Sequence, residues 1–465
     1  MNNFNLISSY IATIIILVIT IGIGAILYFY FSGYISQLTS ETEKTAIKSI
    51  VECSQEKIDI YAYRITLKDF NYRIPLKITE NSGNNLNDYQ ILVTINTQEL
   101  ISQGKMRNDC GDIRFTDSDG ITLLNYWIED GCNTPNTRIW VKVPNIPVSS
   151  NKTIYLYYGN PSATSMSNPK NTMFIYEDME TPPSGNLAGS AVYDSTNKWV
   201  RLTPATTDQL GYLYYQTNPG PLGFHARFRF WAGGGTGADA VWLGVYDTDY
   251  IGTEEDVVRG GYHFTFDEYQ DRICFTKSTI GNGAGIACAT GITNIDNSQW
   301  HTAEIYYWKE SNRVCARIYY DGNLVVNACD TSPQPNALNG IGQTIFGART
   351  GGLTNEHRID DIVVRKYVSP EPTISLGNEE TSPIIKLTMI NLGIELGKRY
   401  LIKLIYEDGK IAVRNITLDK NLSSGESKEI YLTDLPKGII RKIEIYSIDV
   451  CPNMLVGIRS VNIEV

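Results

Sequence analysis

The sequence predicts a mainly β protein with one long N-terminal α-helix and several antiparallel β-sandwiches. Three observations carry that expectation. An uncharged apolar run stands near the front of the chain, most of the remainder alternates apolar and polar residues, and the composition is that of strands and tight turns. The 30 tyrosines and 39 glycines are scattered between stretches of β-branched and aromatic residues, the usage of twisted strands joined by turns. At 465 residues the chain exceeds a single core, since domains usually hold roughly 100–200 residues, so about three units are expected. A net charge of −10 excludes a phosphate-backbone binder, which needs clustered Lys and Arg, so nucleic acid is not a partner.

The first element is the run Ile11–Phe31, which contains no charged residue; about 20 apolar residues suffice for a helix to cross a bilayer. It lacks the basic flank and small-residue cleavage site of a secretory signal. After it, Ile35, Leu38, Ala46, Ile47, Ile50 and Val51 recur at three- and four-residue steps without proline, so the helix is expected to continue to Cys53. Its length would be roughly 60 Å at ~1.5 Å per residue. The stretch ISSYIATIIILVITIGIGAILYFYFSGYI resembles the N-terminal helix of archaeal type IV pilins, whose subunits bundle such helices into a filament core. Thr13, Thr20, Gly22, Gly24 and Ala25 are small enough for close helix approach. The resemblance implies other pilin-like subunits as partners, besides the membrane. Pilin precursors carry Lys or Arg before the apolar segment, and Met1–Asn5 carries neither; this favours the alternative of a single-span protein that does not polymerise.

Beyond Cys53, KIDIYAYRITLKDF alternates as a half-buried strand does. YRIPLKI, DIRFTDSDG, LNYWIE, WVKVPNIP and IYLYYGNP resemble a domain of uncharacterised function found in archaeal and bacterial surface proteins. They imply a small β-sandwich over 71–168, within which Cys110 and Cys132 pair. The acidic turn Asp117–Gly120 lacks the further ligands of a calcium loop and reads as a hairpin. WHTAEIYYWKESNRVCARIYYDGNLV and RIDDIVVRKYVSPEPTISLG resemble the closing strands of concanavalin A-like modules (laminin G or lectin/glucanase), which implies a jelly-roll sandwich over 169–378. The Asp321–Gly322 turn sets Cys315 opposite Cys329, and the loop around Gly281 does the same for Cys274 and Cys288. Residues 379–465 end in short strands, an Asp-Gly hairpin and a late Cys-Pro, and resemble the C-terminal strands of archaeal pilin heads. The reading nests the domains: a helix over 1–55, a first strand within 56–70, the two inserted modules, and a terminal sandwich over 379–465. With three local pairs assigned, Cys53 and Cys451 remain and are expected to bond. Paired cysteines and the sequons at Asn151, Asn415 and Asn421 point to an extracellular location at the cell surface.

For chemistry, the hydrolases of the concanavalin A-like fold alternate carboxylates along one strand so that acid and base face one cleft. Asp267 and Glu268 are adjacent and point apart, and His225, His263, His301 and His357 show no metal or nucleophile spacing. No enzyme is expected; a carbohydrate-active enzyme at Asp267 and Glu268 is the third reading. Phe266–Asp271 resembles the metal-binding strand of legume-type lectins, which implies a calcium-type site at Asp267 and Asp271, although Thr265 stands where that pattern places a carboxylate. No other cofactor is indicated. The leading function is a pilin-like filament subunit or tip adhesin displaying a glycan-binding module, with Trp231, Trp242, Tyr250 and Tyr269 as the aromatic candidates for sugar stacking.

Overall fold

A computed structural model of the chain describes Leu27 and residues 57–64, 66–246, 261–277, 285–333, 342–382, 384–393, 395–449 and 454–465. The described chain is nearly all β, and this corrects the expected fold class. Its helices are Thr97–Ser102 and Pro169–Thr172, and no helix among the described residues is long and apolar enough to cross a membrane. Apart from Leu27, the segment on which the long helix was expected lies outside the described residues, as do Cys53, Cys451 and Tyr250. The physical reason for the β character is periodicity. From Lys57 onward apolar residues recur every second position, which buries one face of a strand but no continuous stripe of a helix.

The chain separates into two compact units, one spanning 69–382 and one formed by the residues on either side of it. In the flanking unit Ile58–Arg64 pairs with Ile385–Asn391, Ile60 lying opposite Met389, and Ser427–Leu432 completes a three-stranded sheet. A four-stranded sheet of Ile411–Thr417, Arg399–Tyr406, Ile439–Ser447 and Met454–Glu464 supplies the other layer. Ile60, Leu387, Tyr400, Leu404 and Ile443 are buried in the core of this unit.

The 69–382 unit holds two cores. The smaller one packs Tyr72–Thr79, Asn151–Tyr158 and their neighbours against Leu86–Ile95, Thr137–Ile146 and Tyr126–Asp130. The chain returns to it late, for Thr373–Leu376 and Glu380–Thr381 pair with Tyr72–Thr79. Cys110 and Cys132 are bonded within this core, and the segment after Asp117 closes a hairpin through the Gly120 N–H on the Asp117 carbonyl.

The larger core lies between a seven-stranded and an eight-stranded sheet. In the strand Gly223–Gly233, Phe224, Ala226, Phe228 and Phe230 point inward and are fully buried, while His225, Arg227, Arg229 and Trp231 alternate outward. Phe228 meets Phe266 and Phe346 edge-on, and Phe264 stacks on Phe275 at 5.4 Å. Each such ring stabilises the fold by about 2–3 kcal/mol relative to exposure. Cys274–Cys288 and Cys315–Cys329 join directly opposed residues of neighbouring strands. The disulfides place the described domains in an oxidising, extracellular or lumenal compartment.

Candidate functional site

One end of the large sandwich gathers carboxylates from separate loops. The hairpin between Gly261–Asp267 and Arg272–Lys277 contributes three of them, Asp267, Glu268 and Asp271. Asp267 closes its own turn: Oδ1 accepts the Gln270 N–H at 2.9 Å, and Oδ2 accepts Arg272 Nε at 2.8 Å. Asp271 occupies the left-handed position of the turn, φ +50°, which Asp tolerates better than most residues; its carbonyl accepts the Ile292 N–H. A divalent ion on Asp267 and Asp271 would compete with Arg272 for the Asp267 carboxylate. Among the described residues the three-residue group with metal-ligand spacing is Glu310 with Cys315 and Cys329, and both sulfurs are spent in a disulfide.

Glu268 turns the other way, into the protein. Its side chain and that of His357 are wholly buried, with Oε1 2.6 Å from Nε2. Oε2 accepts the Asn355 amide, and His357 Nδ1 lies 2.6 Å from Thr203 Oγ1. Asn355 Oδ1 in turn accepts the Gly235 N–H at 3.1 Å, and its amide lies 3.5 Å from Asp296. A buried carboxylate is tolerated only when its lone pairs are satisfied and a compensating partner is at hand. This network meets both conditions and ties five chain segments together.

What the network supports is Asp239. The Glu268 N–H donates to the Asp239 carbonyl at 3.1 Å, and the Asp239 N–H donates to that of Arg349 at 2.9 Å. The Asp239 side chain remains 23% exposed, with Arg349 Nε 3.9 Å away. Burial raises its pKa; Arg349 opposes the shift, and Asp267 and Glu268 add to it. Gly351 keeps the carboxylate uncovered, since a Cβ there would stand 2.8 Å from Oδ2. The neighbouring Tyr269 is 63% exposed. An accessible acceptor, a glycine segment and an exposed ring therefore share one edge, an arrangement suited to hydroxyl-rich ligands.

Sequence reading singled out Asp267, Asp271 and Tyr269 here but missed Asp239, Arg349, Asn355 and the partnership of Glu268 with His357. No spacing motif joins these residues, so no signal was available to find them. The other three histidines are engaged locally: His225 with Glu304, His263 with Tyr246, and His301 with Asp321 and Asn297. Of the remaining aromatic candidates Trp242 is buried and Trp231 lies beneath Arg358 at 4.0 Å. The sequon asparagines Asn151, Asn415 and Asn421 are all exposed.

Residues 109–202 match a family described as a domain of unknown function (DUF2341). No curated protein matches the chain. Among solved structures, the chain is similar to the exoplasmic/lumenal domain of VIP36 in its Ca2+-bound form, at 15% identity and a TM-score of 0.34, covering 43% of this chain and 96% of that one. The carbohydrate recognition domain of Emp47p follows at 13% identity and 0.33, covering 42% and 95%. A Lotus tetragonolobus seed lectin gives 13% identity and 0.34, covering 44% and 99%.

Proposed function

We propose that this chain is a surface protein whose large sandwich binds glycans through Asp239, without enzymatic turnover. The observation that carries the reading is one partly exposed carboxylate held in place by the buried Glu268–His357–Asn355 network. Vicinal sugar hydroxyls would donate to Asp239, and the apolar face of the ring would rest on Tyr269. Glu268 is committed to His357 and Asp267 to Arg272, so these two do not serve as a paired acid and base.

Binding is expected to be independent of calcium, because Arg272 already neutralises Asp267. Full-length protein in detergent, applied to a glycan array with and without EDTA, tests both points. Equal binding by wild type and Asp239→Ala, with unchanged circular dichroism, rejects the site; loss of binding in EDTA, restored by Ca2+, restores a metal role for Asp267 and Asp271.

The uncharged run Ile11–Phe31 would tether the module to a membrane, and fractionation of cell envelopes tests this. Display on a surface filament, with other pilin-like subunits as partners, is the second reading. It rests on the discontinuous terminal sandwich, in which Ile58–Arg64 pairs across the inserted unit with Ile385–Asn391. Mass spectrometry of purified filaments decides between the two. We also assign glycan attachment to the exposed Asn151, Asn415 and Asn421, tested by a mobility shift on enzymatic deglycosylation.

A further inference from the structure

The outward face of the eight-stranded sheet holds a cavity of about 400 Å³ where it meets the small sandwich, within the ~300–1,000 Å³ typical of ligand pockets. We propose that this cavity is a second binding site, separate from Asp239, for one or two rings of a neutral sugar.

Two walls are aromatic: Trp127 from the small sandwich meets Tyr176 edge-on with centroids 5.2 Å apart. The floor is the regular outward row of Gly223–Gly233, where Arg227 and Arg229 alternate with core phenylalanines. Opposite them the ladder slips. Arg227 lies across from Val363 but Arg229 across from Asp360, so a bulge at Asp360–Ile362 breaks the alternation. Asp361 takes a left-handed conformation there and meets Arg229 at 2.8 Å, with Asp360 3.8 Å from the same guanidinium.

The ligand class follows from these groups. Arg227 is paired with Glu129 at 3.1 Å and Arg229 with Asp361, and all three of Arg227, Arg229 and Asp361 remain more than a third exposed. Three cations, Arg138, Arg227 and Arg229, against Glu129, Asp360 and Asp361 leave no surplus positive charge for an anionic ligand. The Arg229–Asp361 pair presents a donor beside an acceptor, as a vicinal diol requires, and Arg227 adds a second donor. The two strands under the cavity are already paired on two sides, and the edge strand beside them, Ile175–Glu177, is three residues long, a short edge of the kind that disfavours an added peptide strand. Beyond the cavity's lining, Arg229 lies over Trp300 at 4.7 Å, and Trp199 is 5.8 Å from Trp300. These rings offer a shelf for a further residue of an oligosaccharide. Burial and its acidic neighbour Asp361 push the Asp360 pKa up to about 6, so the site is expected to change across mildly acidic pH.

The test uses the full chain carrying Asp239→Ala, which silences the first site, on a glycan array with trigalacturonate as the anionic control, followed by calorimetry on the best neutral ligand. Neutral oligosaccharides are expected to bind, with trigalacturonate at least tenfold weaker. Adding Trp127→Ala or Asp361→Ala should each weaken binding tenfold or more with the melting temperature retained. The proposal is overturned if the Asp239→Ala protein binds no neutral glycan, if trigalacturonate binds more tightly, or if Asp361→Ala leaves affinity unchanged. If wild type and Asp239→Ala bind identically and Trp127→Ala abolishes both, the first site fails while this one stands.

Discussion

The large sandwich carries clustered carboxylates in two places and treats them oppositely. At its loop end, Glu268 is buried against His357 and Asn355 and Asp267 is closed by Arg272, around the partly exposed carboxylate of Asp239. On the face of the eight-stranded sheet, Asp361 stands in water beside Arg229, with Asp360 behind it. Loops have no repeating geometry, so a carboxylate on a loop must be positioned by other side chains, and these become unavailable for contact. Asp361 is positioned by the backbone itself, through a bulge in an otherwise paired strand that re-aims its side chain. Acids on a strand can therefore be spent directly on a ligand.

The contrast predicts that the two clusters differ most in stability. Glu268→Ala leaves His357 and Asn355 buried without their partner and should cost about 3–5 kcal/mol, seen as a large fall in melting temperature; Asp361→Ala should cost at most about 1 kcal/mol. Equal losses would erase the distinction. Reduction of the module is expected to rank next. Cys274–Cys288 and Cys315–Cys329 each close a loop with a sequence separation of 14, worth about 3 kcal/mol by chain entropy, and Cys315→Ala with Cys329→Ala measures the second by urea denaturation.

Acid sharpens the comparison through His263. Full burial depresses its pKa to about 4. The unfolded chain then binds more protons than the folded one below the ordinary value of about 6.5, so stability falls as pH drops from ~6.5 to ~4, by up to about 3 kcal/mol. His263→Gln should flatten that slope in a series of thermal melts. Asp360 has the opposite sign and the smallest effect. With its pKa raised to about 6, the folded chain holds the extra proton between pH ~4 and ~6, and stability declines as pH rises through that window. Asp360→Asn should therefore stabilise the protein at pH 7 by about 1 kcal/mol, discounted for the open, solvated pocket.

Much of the strand content was legible. IDIYAYR alternates and forms Ile58–Arg64, and WVKVPNI alternates within Thr137–Ile146. The Asp321–Gly322 turn placed Cys315 opposite Cys329, and the register pairs them. The end of the sandwich around Asp239 was not legible. Glu268 is 89 residues from His357 and 87 from Asn355, and nothing in their local sequence favours one partner over another. The choice of Asp267 as a ligand rested on strand resemblance alone; Arg272, five residues on, turns the same carboxylate into half of an ion pair.

Period-two alternation, turn residues and cysteine spacing by themselves determined that the described chain forms stapled antiparallel sheets, because each acts over a few residues of backbone. Which sheets face each other, where the bulge at Asp360–Ile362 falls, and that Thr373–Leu376 returns to pair with Tyr72–Thr79 were decided only in the tertiary structure. Those outcomes depend on packing between segments far apart in the chain, and the free energy of such contacts exists only once both surfaces are folded.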